Sequence, residues 1–324
     1  MKEEGKNQKV LVLGALGDEV PLVKKFQEKG YKVLVAGAGA HFPCSRIADH
    51  FYDVDIRDKS ELLKIARKEN IIAVASNVVS IAVESTAWLA EQLDLPGIGY
   101  DIARGFTNKA LMRERAQAGG VPVPSFKEVK TKEEAIAFAN KEGFPLVMKP
   151  IDGNSSKGVI RVDRMEEIER KFDESVSFSL NDFGVIIEGF IEGQEYIVDG
   201  FSVDGECIST DVAHKKHFNL KDKFVSKAVI IQDALHCNTE IEKKLLEAHK
   251  MTVEALGLPY GPTHGEYIFC PKDGKVYLVE VAARGGGIRL SSDMIPLATG
   301  IDISSLIVKY SLGGVVKKET LSLR

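Results

Sequence analysis

No stretch of this 324-residue sequence reaches the roughly 18 consecutive apolar residues that a membrane-spanning helix needs. The opening Met1-Lys2-Glu3-Glu4-Gly5-Lys6-Asn7-Gln8 is too polar and acidic for a secretory signal, so the expected compartment is the cytoplasm. Positive charge is not in excess. The chain has 43 Lys and Arg against 47 Asp and Glu, a net charge of −4, which gives nucleic-acid binding no electrostatic footprint. Cysteine is scarce: Cys44, Cys207, Cys237 and Cys270 are widely spaced, with no CxxC pair. Packed thiols are therefore expected, rather than disulfides or a zinc site. His214 and His217 form an isolated HxxH without a matching second pair of ligands. Two nucleotide signatures are also missing. Gly14 and Gly17 do not complete a GxGxxG, no acid closes the second apolar run at Ala36, and no lysine follows a glycine loop in Walker A fashion.

What is present is an alternation of apolar runs and amphipathic stretches. Residues 9–13, 32–36 and 71–75 read as strands; 21–29, 60–70 (with Ser60 as N-cap) and 85–93 read as helices. Short links between them predict a parallel sheet covered on both faces, with ligands bound beyond the strand ends near Gly14, 37–41 and 76–80. From Asp101 the texture changes to an α+β body. Helices are predicted over 108–118, 131–141, 165–172 and 241–256, and strands over 146–149, 159–162, 185–190, 195–202, 206–211, 263–270 and 275–281.

Three segments of that body carry chemistry. Lys149 closes an apolar strand, which is costly unless its ammonium meets an anion, and the Gly153-Asn154-Ser155-Ser156-Lys157-Gly158 loop that follows can wrap phosphate oxygens with its N–H groups and hydroxyls. The run Ile187-Glu188-Gly189-Phe190-Ile191-Glu192-Gly193-Gln194-Glu195 leads an apolar strand into acids and glycine-shaped backbone, which suits an adenine edge and ribose hydroxyls. Glu266 and Glu280 fall on two strands joined by Pro271-Lys272-Asp273-Gly274, so a hairpin can bring both to one face, where a divalent cation relieves their repulsion. Arg284 with Gly285, Gly286 and Gly287 then offers a guanidinium and flexible backbone to an oxyanion or a phosphoryl group.

The ordered series Lys109, Lys149, the 153–158 loop, Glu188 to Glu195, Glu266, Glu280 and Arg284 resembles the ATP-grasp superfamily, of the carboxylate–amine ligase type. The resemblance implies an α/β parallel-sheet, Rossmann-like pre-ATP-grasp domain over 1–100, followed by an α+β ATP-grasp fold of two subdomains. These are a lid with the glycine loop over 101–192 and a metal and substrate unit over 193–324. It implies ATP and Mg²⁺ as cofactors, with Mn²⁺ an admissible substitute. Carried over by position, Lys109 and Lys149 contact phosphates, which Ser155, Ser156 and Gly158 cover. Glu188, Gly189 and the backbone at Ile191 hold adenine, and Glu195 holds the ribose. Glu266 and Glu280 bind the metal, while Arg284, Lys149 and Gly286 steady the acyl-phosphate and its transition state. Glu84, Asn77, Gly287 and Arg289, with Ser76 and His41, are expected at the substrates, and His264 is expected in the core.

The sequence departs from the family pattern twice. Ala282 stands where many members carry Asn two residues after the second metal acid, and the chain ends at Arg324, where many relatives continue into a further C-terminal subdomain. That points to a more open active site or one completed by another chain. The implied activity joins a small-molecule carboxylate to an amine, with amino-acid or small-peptide substrates, and allows a homodimer. Its rivals are a carboxylase-like, carbamoyl-phosphate-like or kinase product, or a non-catalytic nucleotide-binding protein.

Overall fold

The structure, a computed structural model, describes residues 7–153, 156–180, 184–218, 224–233 and 236–321. Its first part contains β1 (Lys9–Leu13), α1 (Val20–Glu28), β2 (Lys32–Gly37), β3 (His50–Asp53), α2 (Lys59–Glu69), β4 (Ala73–Ala75) and α3 (Ala82–Gln92). The four strands are parallel and ordered β3-β2-β1-β4. Val10, Leu11, Val12 and Leu13 are all fully buried, as expected of a strand covered on both faces. Val10 and Val12 pack in one core with Leu22 and Phe26 of α1, and Leu11 and Leu13 in another with Leu62 of α2 and Leu89 of α3. The edge strand β3 was not expected, because His50-Phe51-Tyr52-Asp53 is short, polar at both ends and only partly buried. Helix α2 is capped by Asp58, which accepts from Glu61 N, and not by Ser60, whose hydroxyl donates to Asp58 instead.

The next part runs through α4 (Tyr100–Gly105), α5 (Lys109–Ala118), β5 (Phe126–Val129), α6 (Lys132–Glu142), β6 (Leu146–Pro150), β7 (Ile160–Val162), α7 (Met165–Val176) and β8 (Val185–Gly189). Its antiparallel sheet, β5-β8-β6-β7, shares a core of its own with α6 and α7, built on Leu146, Met148, Ile168, Phe172 and Ile187. A third, five-stranded antiparallel sheet follows. It comprises β9 (Gln194–Val203), β10 (Glu206–His217), β11 (Ser226–Asp233), β12 (Gly261–Cys270) and β13 (Lys275–Ala282), ordered β11-β10-β9-β12-β13, with α8 (Glu240–Ala255) packed against it.

Two segments cross the boundaries that chain order suggests. Met112 and Ala116 of α5 join the core of the third sheet with Val198, Leu245 and Tyr267. After a helical turn at Leu290–Met294, α9 (Ile295–Thr299) and α10 (Ile303–Ser311) return to the first sheet, where Ile303, Ile307 and Val308 pack in one cluster with Val10 and Phe26. Phe201 and Val203 of β9 lie in that cluster too, so the first and third sheets share a hydrophobic seam.

Candidate functional site

The cleft between the second and third sheets, about 840 Å³ to its open mouth, is lined by Lys109, Lys149, Glu188, Lys215, Glu266 and Glu280. Each arrives from a different element. Asn108 caps α5 by accepting from Leu111 N, and Lys109 N donates to Ile151 O, so the helix start is fixed beside the loop after β6. The buried Lys109 ammonium donates to Gly153 O at 2.7 Å and lies 3.4 Å from Glu280 Oε1. Lys149 Nζ lies 2.6 Å from Glu188 Oε2 on the neighbouring strand β8. Glu188 Oε1 accepts from Arg113 Nε at 2.7 Å, and Arg113 also donates to Val279 O on β13 at 2.6 Å. Burial alone would raise the Glu188 carboxyl, but the charges of Arg113 and Lys149 overcome it and hold it below its ordinary value.

Both oxygens of Glu188, expected at adenine, are taken by cations, so within the cleft lining the side chain orients Lys149. Gly189 N likewise donates to Ser125 O and Phe190 N to Pro145 O, while Ile191 is a lining residue of the cleft. Glu195, the second residue of β9, accepts from Lys215 Nζ at 2.5 Å, with His217 Nε2 at 3.1 Å. Burial would raise its carboxyl too, yet His217 and Lys215 bring it down to about 2. Lys215 reaches on to Glu266 Oε1 at 2.9 Å. His214 and His217 do not converge, since His214 packs edge-on against Tyr196.

Glu266 and Glu280 face each other directly across β12 and β13. With Ser80, Ser156, His264, Ala282 and Arg284 they line a small central hollow that opens from the cleft. Among the described residues no three His, Cys, Asp or Glu side chains cluster around one point. A pair of carboxylates alone suits a cation that fills its shell with phosphate oxygens, so the residues present fit Mg²⁺ bound together with a nucleotide. The apolar wall of the cleft, Val147, Ile191, Ile268 and Leu278, fits a planar base.

Arg284 is held from the first lobe: its Nε donates to Ser80 Oγ at 2.8 Å and its Nη1 to Gly285 O at 2.7 Å. Burial lowers its pKa, against the opposing pull of Glu280, Glu266 and Asp199. Of the three glycines after it, Gly285 and Gly286 are sterically required, whereas a Cβ on Gly287 would meet nothing within 4 Å. A Cβ on Gly285 would overlap Ser291 Oγ, and one on Gly286 would lie 2.9 Å from His264 Nδ1 and 3.1 Å from Asp199 Oδ1. In the glycine loop Ser156 and Gly158 have φ of 55° and 71°, and a Cβ on Gly158 would press on Pro150 and Phe178. Ser155 lies outside the described residues.

The expected substrate contacts divide. Glu84 lines a pocket with Arg57, Lys59, Thr107, Asp152 and Glu280. It accepts from Thr107 Oγ1 at 2.5 Å, with Lys59 Nζ at 3.3 Å. Gly287 lines a wide mouth with Ile288, Leu290 and Val225. Asn77, in contrast, is fully buried: its Oδ1 accepts from Ser291 Oγ and its carbonyl from Gly285 N, so it braces the glycine run from behind. Ser76 donates to the buried Glu19. His41 is exposed against Phe42. Arg289 points to solvent and is paired with Asp293 at 2.8 Å, because left-handed backbone at Ile288 and Arg289 turns the chain outward. His264, expected in the core, lines the central hollow.

Sequence reasoning missed Arg113, Lys215 and Asp199, each buried and bonded to a residue distant in the chain. The available signal was a lone cation or acid inside a helix or strand otherwise read as apolar or solvated.

The cleft between the second and third sheets and its adjoining hollow thus gather lysines, a carboxylate pair and an arginine. The chain matches the sequence model of the ATP-grasp domain over residues 142–292. It is 26% identical over 257 residues to the L-arginine-specific L-amino acid ligase of Bacillus subtilis, a match covering 75% of this chain and 60% of that one. The L-amino acid ligase of Bacillus licheniformis superposes with a TM-score of 0.75 at 24% identity, over 95% of this chain and 74% of that structure. The biotin carboxylase domain of the Hydrogenobacter thermophilus 2-oxoglutarate carboxylase, solved with MgADP and bicarbonate, gives 0.79 at 19% identity, over 99% and 73%. The chain thus spans about 60% of the length of the curated relative.

Proposed function

We propose that this chain is an ATP- and Mg²⁺-dependent ligase that converts a carboxylate to an acyl-phosphate and joins it to an amine, releasing ADP and phosphate. The observation that carries the reading is the convergence of Lys109, Lys149, Lys215, the Glu266–Glu280 pair and Arg284 on one cleft and its central hollow. Bound between Glu266 and Glu280, Mg²⁺ would neutralise charge on the phosphate oxygens. Lys109 and Lys149, freed from Glu280 and shared with Glu188, would steady the transferring phosphoryl group. Arg284, anchored on Ser80, faces the charge that develops as the amine attacks. The carboxylate would enter through the pocket lined by Glu84 and Thr107, which shares Ser80, Glu280 and Ala282 with the central hollow.

Amino-acid or small-peptide substrates are the preferred class, supported by the likeness to two L-amino acid ligases. A carboxylase-like reaction is the second reading, favoured by the close superposition on the biotin carboxylase domain. The test is a pairwise amino-acid screen for ADP formation with mass analysis of the product. An amide supports the ligase, and a carboxylated or phosphorylated product supports the alternative. Equal phosphate release by wild type and Lys149→Ala would sink both.

A further inference from the structure

We infer that His264, oriented by Asp199, is the residue that seats the incoming amine. The assignment rests on the ligase reading above, and it starts from sheet register. Asp199, His264 and Ala282 pair in one row across β9, β12 and β13, with Asp211 of β10 continuing it. The next positions along the same face are Glu266 and Glu280. His264 therefore stands one step along the sheet from the two candidate metal acids, on the surface that faces the cleft.

Its ring is fixed rather than free. Nδ1–H donates to Asp199 Oδ1 at 2.8 Å, and Asp199 is itself almost wholly buried. That bond places the hydrogen on Nδ1 and leaves the Nε2 lone pair as an acceptor. Nε2 has no partner among the described residues. Gly286 packs on the Nδ1 side so closely that a side chain there would displace the pair. On the other side, Ala282 is small and lines the hollow, so space is open beside the ring.

The hollows give this acceptor a purpose. The central hollow meets the nucleotide cleft through Ser156, Glu266 and Glu280. It meets the Glu84 pocket through Ser80, Glu280 and Ala282. It meets the wide mouth lined by Val225, Gly287 and Ile288 through Ser156, His264, Glu266 and Arg284. Three reactants need three approaches, and His264 belongs to the third alone. An amine entering there donates one N–H to Nε2, which turns its lone pair toward an acyl carbon held near Arg284. The N–C bond forms, the C–O bond to phosphate breaks, and phosphate departs with the electron pair and the proton that nitrogen loses. His264 keeps its Nδ1 proton and Asp199 remains its acceptor throughout.

The test separates the two halves of the reaction. The full chain, with ATP, Mg²⁺ and a pool of the common L-amino acids, is assayed for amide by mass spectrometry. It is assayed again with excess hydroxylamine, a small nucleophile that reports the activated carboxylate as a hydroxamate. His264→Ala is expected to lower the ratio of amide to hydroxamate by about tenfold or more. His264→Gln, whose amide oxygen can accept at the place of Nε2, is expected to recover part of it. Asp199→Asn, which retains the shape and can reverse the ring tautomer, should lower the ratio in the same direction, and it serves where His264→Ala fails to fold. A ratio within about twofold of wild type in folded variants overturns the assignment, as does parallel loss of both products. If the unaltered chain yields neither product, the ligase reading fails first and this assignment falls with it.

Discussion

Glu188 and Glu19 are both enclosed carboxylates, yet their surroundings push them in opposite directions. Glu188 is clamped between Arg113 and Lys149, whose charges outweigh burial and keep it ionised. Among the described residues Glu19 meets neutral donors, including the backbone N–H groups of Asn77 and Val78 and the Ser76 hydroxyl. Burial dominates there and raises its pKa to about 7. Hydrogen bonds from amides soften the cost of burying a carboxylate, while facing cations remove it. The two sites also serve different ends. The cation-clamped acid holds Lys149 in place in the cleft, whereas the amide-bound acid ties the segment after β4 to the start of α1, directly behind the Asn77 bracket that supports the glycine run.

The comparison can be broken by changing either side. The largest effect is expected for Lys149→Ala: carboxylate-dependent ADP release should fall by about a hundredfold or more, read by a coupled assay. Arg113→Met should act mainly on stability. It leaves Glu188 buried with one partner, for an expected loss of about 3–5 kcal/mol in urea unfolding.

Glu19 sharpens the contrast through pH. Between its unfolded pKa near 4.5 and about 7 the folded chain keeps a proton that the unfolded chain has lost. Its contribution to stability is therefore fully present below about pH 4.5 and is lost as pH rises through about 7. Glu188, held low, contributes above the ordinary carboxylate range and loses that contribution only as the solution turns more acid. Wild type should accordingly lose roughly 1–3 kcal/mol between pH 5 and 8 that Glu19→Gln does not lose, by urea titration at each pH. The smallest effect is expected at Arg289, whose ion pair with Asp293 lies on the surface. Arg289→Ala should change ADP release by less than about twofold.

What the sequence makes legible follows the range of the interactions. Lys149 before its glycine loop, the Glu266–Glu280 hairpin and Arg284 before three glycines are local patterns, and the fold brings them onto one cleft and its adjoining hollow. Arg113 reads locally as one more charged position on α5, and only tertiary packing shows it bridging Glu188 to Val279. Lys215 sits on β10 between His214 and Lys216, and its double pairing to Glu195 and Glu266 depends on strand order. Arg289 misled because proximity to Arg284 in sequence says nothing about which way a left-handed turn sends the side chain. The return of α10 to the first sheet is likewise a long-range event, fixed by Ile303, Ile307 and Val308 meeting α1 and β1.

The central claim is that the cleft cations and the two facing acids act together on one metal-bound nucleotide. Calorimetric titration of ADP into the chain, with and without Mg²⁺, tests it most directly. The account predicts Mg²⁺-strengthened binding in wild type, little of that strengthening in Glu280→Gln, and weak binding under either condition in Lys149→Ala. Binding that is equally tight with and without Mg²⁺, and unaltered in both variants, would contradict it.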